Sequence, residues 1–291
     1  MQARIPNAII IGAMKASTTT LFNVLARHSE VFVSKVKEPN HFAATESKGI
    51  KGWEEYLGLF VGSSDSHKII LEASTEYTRW PQNPNAAKRI HEKLANPKLI
   101  YVVRDPVDRV VSHYFHSYSR SFYKPGTTLS QAIMSDPILL STSRYASQLD
   151  IYEAEFGKNS VLVITVEQLH SDTAETLYRV ARYLSIDPCE LMKIPIEKAN
   201  TRDQLNAFIR FNKLFGVNRS SYSFFSKLPA PIKRTIKSLF SRESTAPAPT
   251  QIDRNFALKE LEADIVRFHN RLGSVIDDWP SVKALSGDYR D

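Results

Sequence analysis

One cysteine, Cys189, is all that the chain carries, so no disulfide can form within it and a disulfide-stapled scaffold is excluded. Ten glycines in 291 residues are too few for a collagen repeat. Long apolar runs are missing: a stretch such as residues 8–11 is far short of the roughly 18 residues of a membrane span. The start, Met1 to Pro6, lacks the apolar segment of a secretory signal. With the lone cysteine, these absences predict a cytoplasmic protein without a membrane span. No His/Cys cluster has zinc-ligand spacing, so no metal is expected. RNP, KH and zinc-finger signatures are missing too, and no repeat of fixed period is visible. What the chain does have is positive charge. Lys and Arg total 38 against 31 Asp and Glu, a net charge of +7. Such an excess suits nucleic acid, a membrane surface or a small anion, and composition does not choose among them.

Hydrophobic residues make up 42 % and charged residues 24 %, ordinary globular usage for a chain long enough to bury a sizeable core. Strands are predicted at 8–11, 68–72, 98–103 and 160–166, and helices at 18–28, 85–94, 106–118 and 173–184. Buried apolar strands alternating with helices predict an α/β fold of three layers, a central parallel sheet flanked by helices. No clear strand follows residue 166, and 203–215 and 252–272 read as helices. The whole, 1–291, reads as a single domain with a core at 5–190 and a helical C-terminal part at 191–291.

The segment 8–25, AIIIGAMKASTTTLFNVL, runs from a buried strand through Gly12 and Lys15 into hydroxyl residues and a helix. Small residues let backbone approach an oxyanion, and the N–H groups at a helix start favour negative charge. Lys15 adds a cation, and Ser17, Thr18, Thr19 and Thr20 add hydroxyl donors. This is not a Walker A loop: Lys15 follows Gly12 by three residues and no second glycine precedes it, which disfavours a nucleoside triphosphatase. The plainer reading is an ordinary helix start with a surface lysine.

A second segment, 98–118, reads KLIYVVRDPVDRVVSHYFHSY. Arg104 ends a predicted strand, at the sheet edge where open α/β sheets bind ligands. Pro106 starts a helix carrying Arg109 and Ser112, and a guanidinium with a nearby hydroxyl suits a phosphate. The plainer reading pairs Arg104 with Asp105 and packs Ser112 away.

Together these two segments resemble the sulfotransferases that use 3′-phosphoadenosine 5′-phosphosulfate (PAPS), which implies a P-loop NTPase-like sulfotransferase fold. Residues 12–20 are similar to that family's 5′-phosphosulfate loop, and Arg104, Asp105, Pro106, Arg109 and Ser112 to its 3′-phosphate motif. Lys37-Glu38-Pro39-Asn40-His41-Phe42 is similar to a K-E-x-H-F stretch of the heparan-sulfate glucosaminyl sulfotransferase branch, with one residue extra. The order of elements from Arg144 through residue 169 also matches that branch. The resemblance covers about residues 5–190.

It implies in-line transfer of a sulfuryl group from PAPS to a hydroxyl or amine, without a metal. Lys15 would stabilise the leaving oxygen. The Ala16–Thr19 amides and the Ser17, Thr18 and Thr19 hydroxyls would hold the 5′-phosphate, while Arg104 and Ser112 hold the 3′-phosphate. Glu38 is the leading base and His41 the second candidate. Their plainer readings are a surface carboxylate paired with Lys35 or Lys37, and a packed or exposed loop histidine. The branch usually has a lysine near Ala73; here it is absent, and Arg79 is one substitute. The acceptor is therefore expected to be a saccharide or other polyhydroxylated molecule, or else a small natural product. A non-catalytic nucleotide- or RNA-binding protein is the alternative of another class. The aromatics of residues 114–123 are candidates for stacking on a sugar or adenine, or for core. Lys233, Arg234, Lys237 and Arg242 flank residues 241–250, a candidate lid whose plainer reading is a solvated basic helix face.

Overall fold

The computed structural model describes residues 4–43, 49–196 and 246–287. Five strands, β1 (Ala8–Gly12), β2 (Val31–Val33), β3 (Ile69–Ala73), β4 (Lys98–Val103) and β5 (Val161–Thr165), form one sheet in the order β2-β3-β1-β4-β5. Every pair is parallel, with Ile10 opposite both Ala73 and Ile100. Twelve α-helices accompany the sheet among the described residues: α1 (Thr18–Leu25), α2 (Trp53–Gly58), α3 (Ala86–Lys93), α4 (Pro106–Ser119), α5 (Leu129–Ser135), α6 (Ile138–Ser141), α7 (Tyr145–Phe156), α8 (Val166–Ser171), α9 (Thr173–Leu184), α10 (Pro188–Met192), α11 (Gln251–Leu272) and α12 (Pro280–Ser286).

The apolar runs bury both faces of the sheet because side chains alternate along a strand. Ile9, Ile11, Leu99, Tyr101 and Val103 join one core with α3, α4, α7 and α11; Ala8, Ile10, Ile100 and Val102 join the other with α1, α9 and α10. The expected α/β architecture is therefore the one observed. The sequence reading omits β2, which has only three residues at the sheet edge. It also runs α1 on to residue 28, where the last amides turn to acceptors three residues back, Arg27 N to Val24 O and His28 N to Leu25 O. The expected helix 252–272 is observed as α11. The predicted helix 203–215 and residues Lys233, Arg234, Lys237 and Arg242 lie outside the described residues, as do residues 241–245 of the candidate lid.

Two aspartates of α11 tie the C-terminal part to the rest. Asp264 accepts from the Ala146 and Ser147 amides, each at 2.9 Å, and so caps α7 from outside. Asp253 completes a capping box with Thr250 and also accepts from the Ser130 amide of α5 at 3.0 Å. The chain leaves β1 through α1 towards β2 on one side and leaves β4 towards β5 on the other. The adjacent carboxyl ends of β1 and β4 therefore flank a switch point, where such sheets open a crevice.

Candidate active site

A cleft of about 410 Å³ opens at that crevice. Its floor is the loop after β1. Gly12 has no room for a side chain: a Cβ would stand 1.9 Å from Thr78 Oγ1, which donates to the Ile11 carbonyl at 3.1 Å. Lys15 and Ser17 both take left-handed backbone angles, with φ of 71° and 57°. Backbone of this kind curls amides inward around an anion. Thr18 and Thr19, in the first turn of α1, lack intrahelical acceptors for their amides.

Lys15, Ser17, Thr18, Thr19 and Thr20 line the cleft, and Arg104, Ser112 and Glu38 line it too. Two expected residues do not. Ala16 is buried at 1 % exposure, and its amide donates to the Ala13 carbonyl at 3.2 Å instead of facing the cleft. His41 stacks on Tyr56 with centroids 4.4 Å apart and has Nδ1 on the Ile50 carbonyl at 2.7 Å; burial lowers its pKa, and the nearby Lys93 and Arg89 charges act the same way. The packed-histidine reading describes His41.

Glu38 is held from three sides. Its Oε1 meets Lys37 Nζ at 2.5 Å, its Oε2 accepts from the Thr75 amide at 2.8 Å, and its own amide donates to the Ala73 carbonyl at 2.9 Å. Glu38 and Asn40 both take left-handed angles, φ 62° and 54°. Such strain in non-glycine residues persists only where surrounding contacts impose it. Glu38 is thus paired with Lys37, as the plainer reading has it, and also faces the cleft.

Beneath this loop lies Glu72 on β3, fully buried, accepting from Tyr77 Oη at 2.8 Å, Tyr56 Oη at 3.0 Å and Ser74 Oγ at 3.0 Å. Burial pushes its pKa up to about 7 against the opposing pull of those hydroxyls. Ser74 Oγ in turn accepts from the Asn40 amide at 3.0 Å, so the buried carboxyl supports the strained loop. Ala73, where the lysine is missing, is fully buried. Arg79 is tied to Glu76 in an ion pair rather than lining the cleft. The cation beside Glu38 is Lys37.

On the opposite wall Arg104 does not pair with Asp105. Asp105 caps α4 through the Asp108 amide at 3.0 Å and accepts from the Ser281 amide at 2.9 Å. Arg104 stands 3.7 Å from Asp108, which Arg254 of α11 meets at 2.9 Å. Arg109, grouped by sequence with the phosphate residues, is fully buried behind the loop. The aromatics Tyr114 and Tyr118 belong to the core, and no tyrosine or phenylalanine of 114–123 lines the cleft.

The sequence reading missed Lys37, Asn40, Thr75, Glu76, His116 and Arg120 as lining residues. For His116 and Arg120 a signal exists: they follow Ser112 by four and eight residues, one stripe of a helix. Burial, with the charges of Lys15 and Arg120, holds the His116 pKa down at about 3, so its ring is neutral. Three lining residues carry a buried polar atom without a hydrogen-bond partner: Asn40 Oδ1, Arg104 Nε and His116 Nδ1. Buried polar atoms are normally satisfied, so a cleft with three orphans suits a polar ligand. Among the described residues no group of three or more His, Cys, Asp or Glu is placed to hold a metal ion, and no helix is long and apolar enough to cross a membrane.

Comparison with known proteins agrees with this fold. A solved sulfotransferase from Alicyclobacillus acidocaldarius superposes with a TM-score of 0.59 at 22 % identity, covering 76 % of this chain and 99 % of that one, a likeness of fold. Heparan sulfate glucosamine 3-O-sulfotransferase 6 of Mus musculus is 30 % identical over 192 residues, 63 % of this chain and 53 % of its own length. The membrane-associated sulfotransferase kil1 of Dictyostelium discoideum is 36 % identical over 113 residues, 39 % of this chain and 23 % of its own. The chain thus spans about half or less of the length of these curated relatives. The sulfotransferase family model matches residues 6–190, most of the chain and every residue of the cleft lining, and the chain belongs to that family.

Proposed function

We propose that the protein transfers a sulfuryl group from PAPS to a hydroxyl, or an amine, of a saccharide or other polyhydroxylated acceptor. One observation carries this reading: a single cleft is lined at one wall by the Lys15 loop, at a second by Arg104 and Ser112, and at a third by Glu38. A donor with phosphates at both ends of its ribose fits the first two walls. The third then faces the acceptor.

In the proposed step Glu38 takes the acceptor proton. The acceptor oxygen or nitrogen bonds to sulfur as the bond from sulfur to the 5′-phosphate oxygen breaks, releasing adenosine 3′,5′-bisphosphate. Lys15 stabilises the charge growing on that leaving oxygen, and the Thr18 and Thr19 amides hold the 5′-phosphate. Arg104 and Ser112 hold the 3′-phosphate, which ATP lacks. Neutral His116 offers a hydrogen bond beside Lys15 without adding charge. Positioning and charge stabilisation do most of the work in transfers of this type. The saccharide acceptor is supported by the 30 % identity with a relative named for heparan sulfate glucosamine. A small natural product is the second reading, favoured by buried Ala73 where the polysaccharide branch has lysine.

The test is a thermal-shift series with adenosine 3′,5′-bisphosphate, adenosine 5′-phosphosulfate and ATP, followed by an acceptor screen with labelled donor. Selective stabilisation by the bisphosphate is expected. Equal shifts with ATP would remove the 3′-phosphate role of Arg104 and Ser112.

A further inference from the structure

Arg109 of α4 is fully buried, and its partners are all neutral. Its Nε donates to Ser143 Oγ at 2.5 Å, Nη2 donates to the Leu139 carbonyl at 2.7 Å and lies 3.2 Å from His113 Nδ1, and Nη1 reaches towards the Met14 carbonyl at 3.5 Å. Among the described residues no carboxylate lies within ion-pair distance of it. Burial disfavours its charge most, Tyr145 and Tyr101 beside it act the other way, and the cations Arg79 and Arg104 add to the burial effect; burial with the Arg109 charge keeps His113 neutral. Tyr101 and Tyr145 border it, each with a buried hydroxyl lacking a hydrogen-bond partner. A guanidinium taken out of water without an opposite charge is costly, and folds retain such a group when an anion arrives from elsewhere.

The place of that anion follows from Met14, which lines the cleft and immediately precedes Lys15. Arg109 therefore stands directly behind the loop, separated from the cleft by one peptide unit. We infer that Arg109 is a positioning residue whose counter-charge is the anion bound in the cleft. It fixes the Met14 carbonyl and lends the loop a positive field that solvent does not screen. That the anion is a nucleotide phosphate rests on the proposed function; that it is an anion does not.

The experiment compares Arg109→Met and Arg109→Gln, which remove the charge, with Arg109→Lys, which keeps it. Calorimetric affinity for adenosine 3′,5′-bisphosphate is read across a salt series, and thermal transitions are read without ligand and with inorganic sulfate. Both neutral variants are expected to bind the bisphosphate at least about tenfold more weakly, with a flatter salt dependence, while Arg109→Lys stays within about threefold of the parent. Without ligand, the neutral variants are expected to melt no earlier than the lysine variant. A purely structural role would not separate methionine from lysine by ligand charge. The assignment is overturned if either neutral variant binds within about twofold of the parent, if neutral and lysine variants weaken alike, or if neither neutral variant folds. A parent that ignores the bisphosphate, yet gains stability from sulfate that Arg109→Met does not, keeps the assignment and removes the nucleotide reading. A parent that responds to neither ligand overturns the assignment.

Discussion

Lys15 and Glu38 line one cleft, each on left-handed backbone. Their proposed roles separate cleanly by experiment. Lys15→Ala is expected to lower turnover by about a thousandfold while weakening bisphosphate affinity by no more than about tenfold, because the ammonium acts mainly on charge that develops during transfer. Glu38→Gln keeps the Thr75 contacts within reach and removes the base. Turnover is expected to fall by about 10²- to 10⁴-fold with cofactor affinity unchanged, in single-turnover kinetics with saturating donor. An unchanged rate would pass the proton to solvent. At this scale the sequence was legible where chemistry needs a loop of consecutive residues. Lys15, residues 17–20, Arg104 and Ser112 all fall in one cleft. It was less legible for Lys37, Thr75 and Glu76, because only the parallel pairing of β2 with β3 brings their loops together.

Among elements, α7 is the instructive case. Its apolar period is blurred because Gln148 is buried, bonding the Trp80 amide at 3.1 Å and the Trp80 and Ser141 carbonyls at 3.0 Å each. A polar residue that satisfies backbone inside the core breaks the pattern on which helix reading depends. The start of α7 is equally non-local, since its capping acid is Asp264, more than a hundred residues away. Asp264→Ala should leave the Ala146 and Ser147 amides without that acceptor and cost about 2 kcal/mol. A lower urea midpoint at unchanged slope is the expected result. The runs of β1, β3 and β4, by contrast, were readable because burial on both faces leaves little polar alternation to mislead, and the edge strand β5 because its run 161–164 is wholly apolar.

For the whole molecule, Glu72 sets a pH dependence of definite sign. The folded protein holds that proton up to about pH 7, whereas an unfolded chain releases it near the ordinary glutamate value of 4.5. Between those values the unfolded state binds fewer protons, so stability falls as pH rises, by roughly 3 kcal/mol in all from this group. Above about pH 7 the contribution is flat. Glu72→Gln is expected to narrow the difference in thermal midpoint between pH 5 and pH 8, and an unaltered difference would assign that slope to other groups.

Asp105 receives an amide from Ser281, Asp108 receives the guanidinium of Arg254, and Asp264 and Asp253 hold the starts of α7 and α5. Each of these bonds reaches across from beyond residue 246, while every residue of the cleft lining lies before residue 121. The stretch recognisable as a sulfotransferase, 6–190, is therefore shorter than the stretch that braces one. A chain trimmed to the recognisable part would keep every residue of the cleft lining and lose the clasps that keep α4 and its neighbours in register. Sequence kinship and mechanical completeness end at different residues.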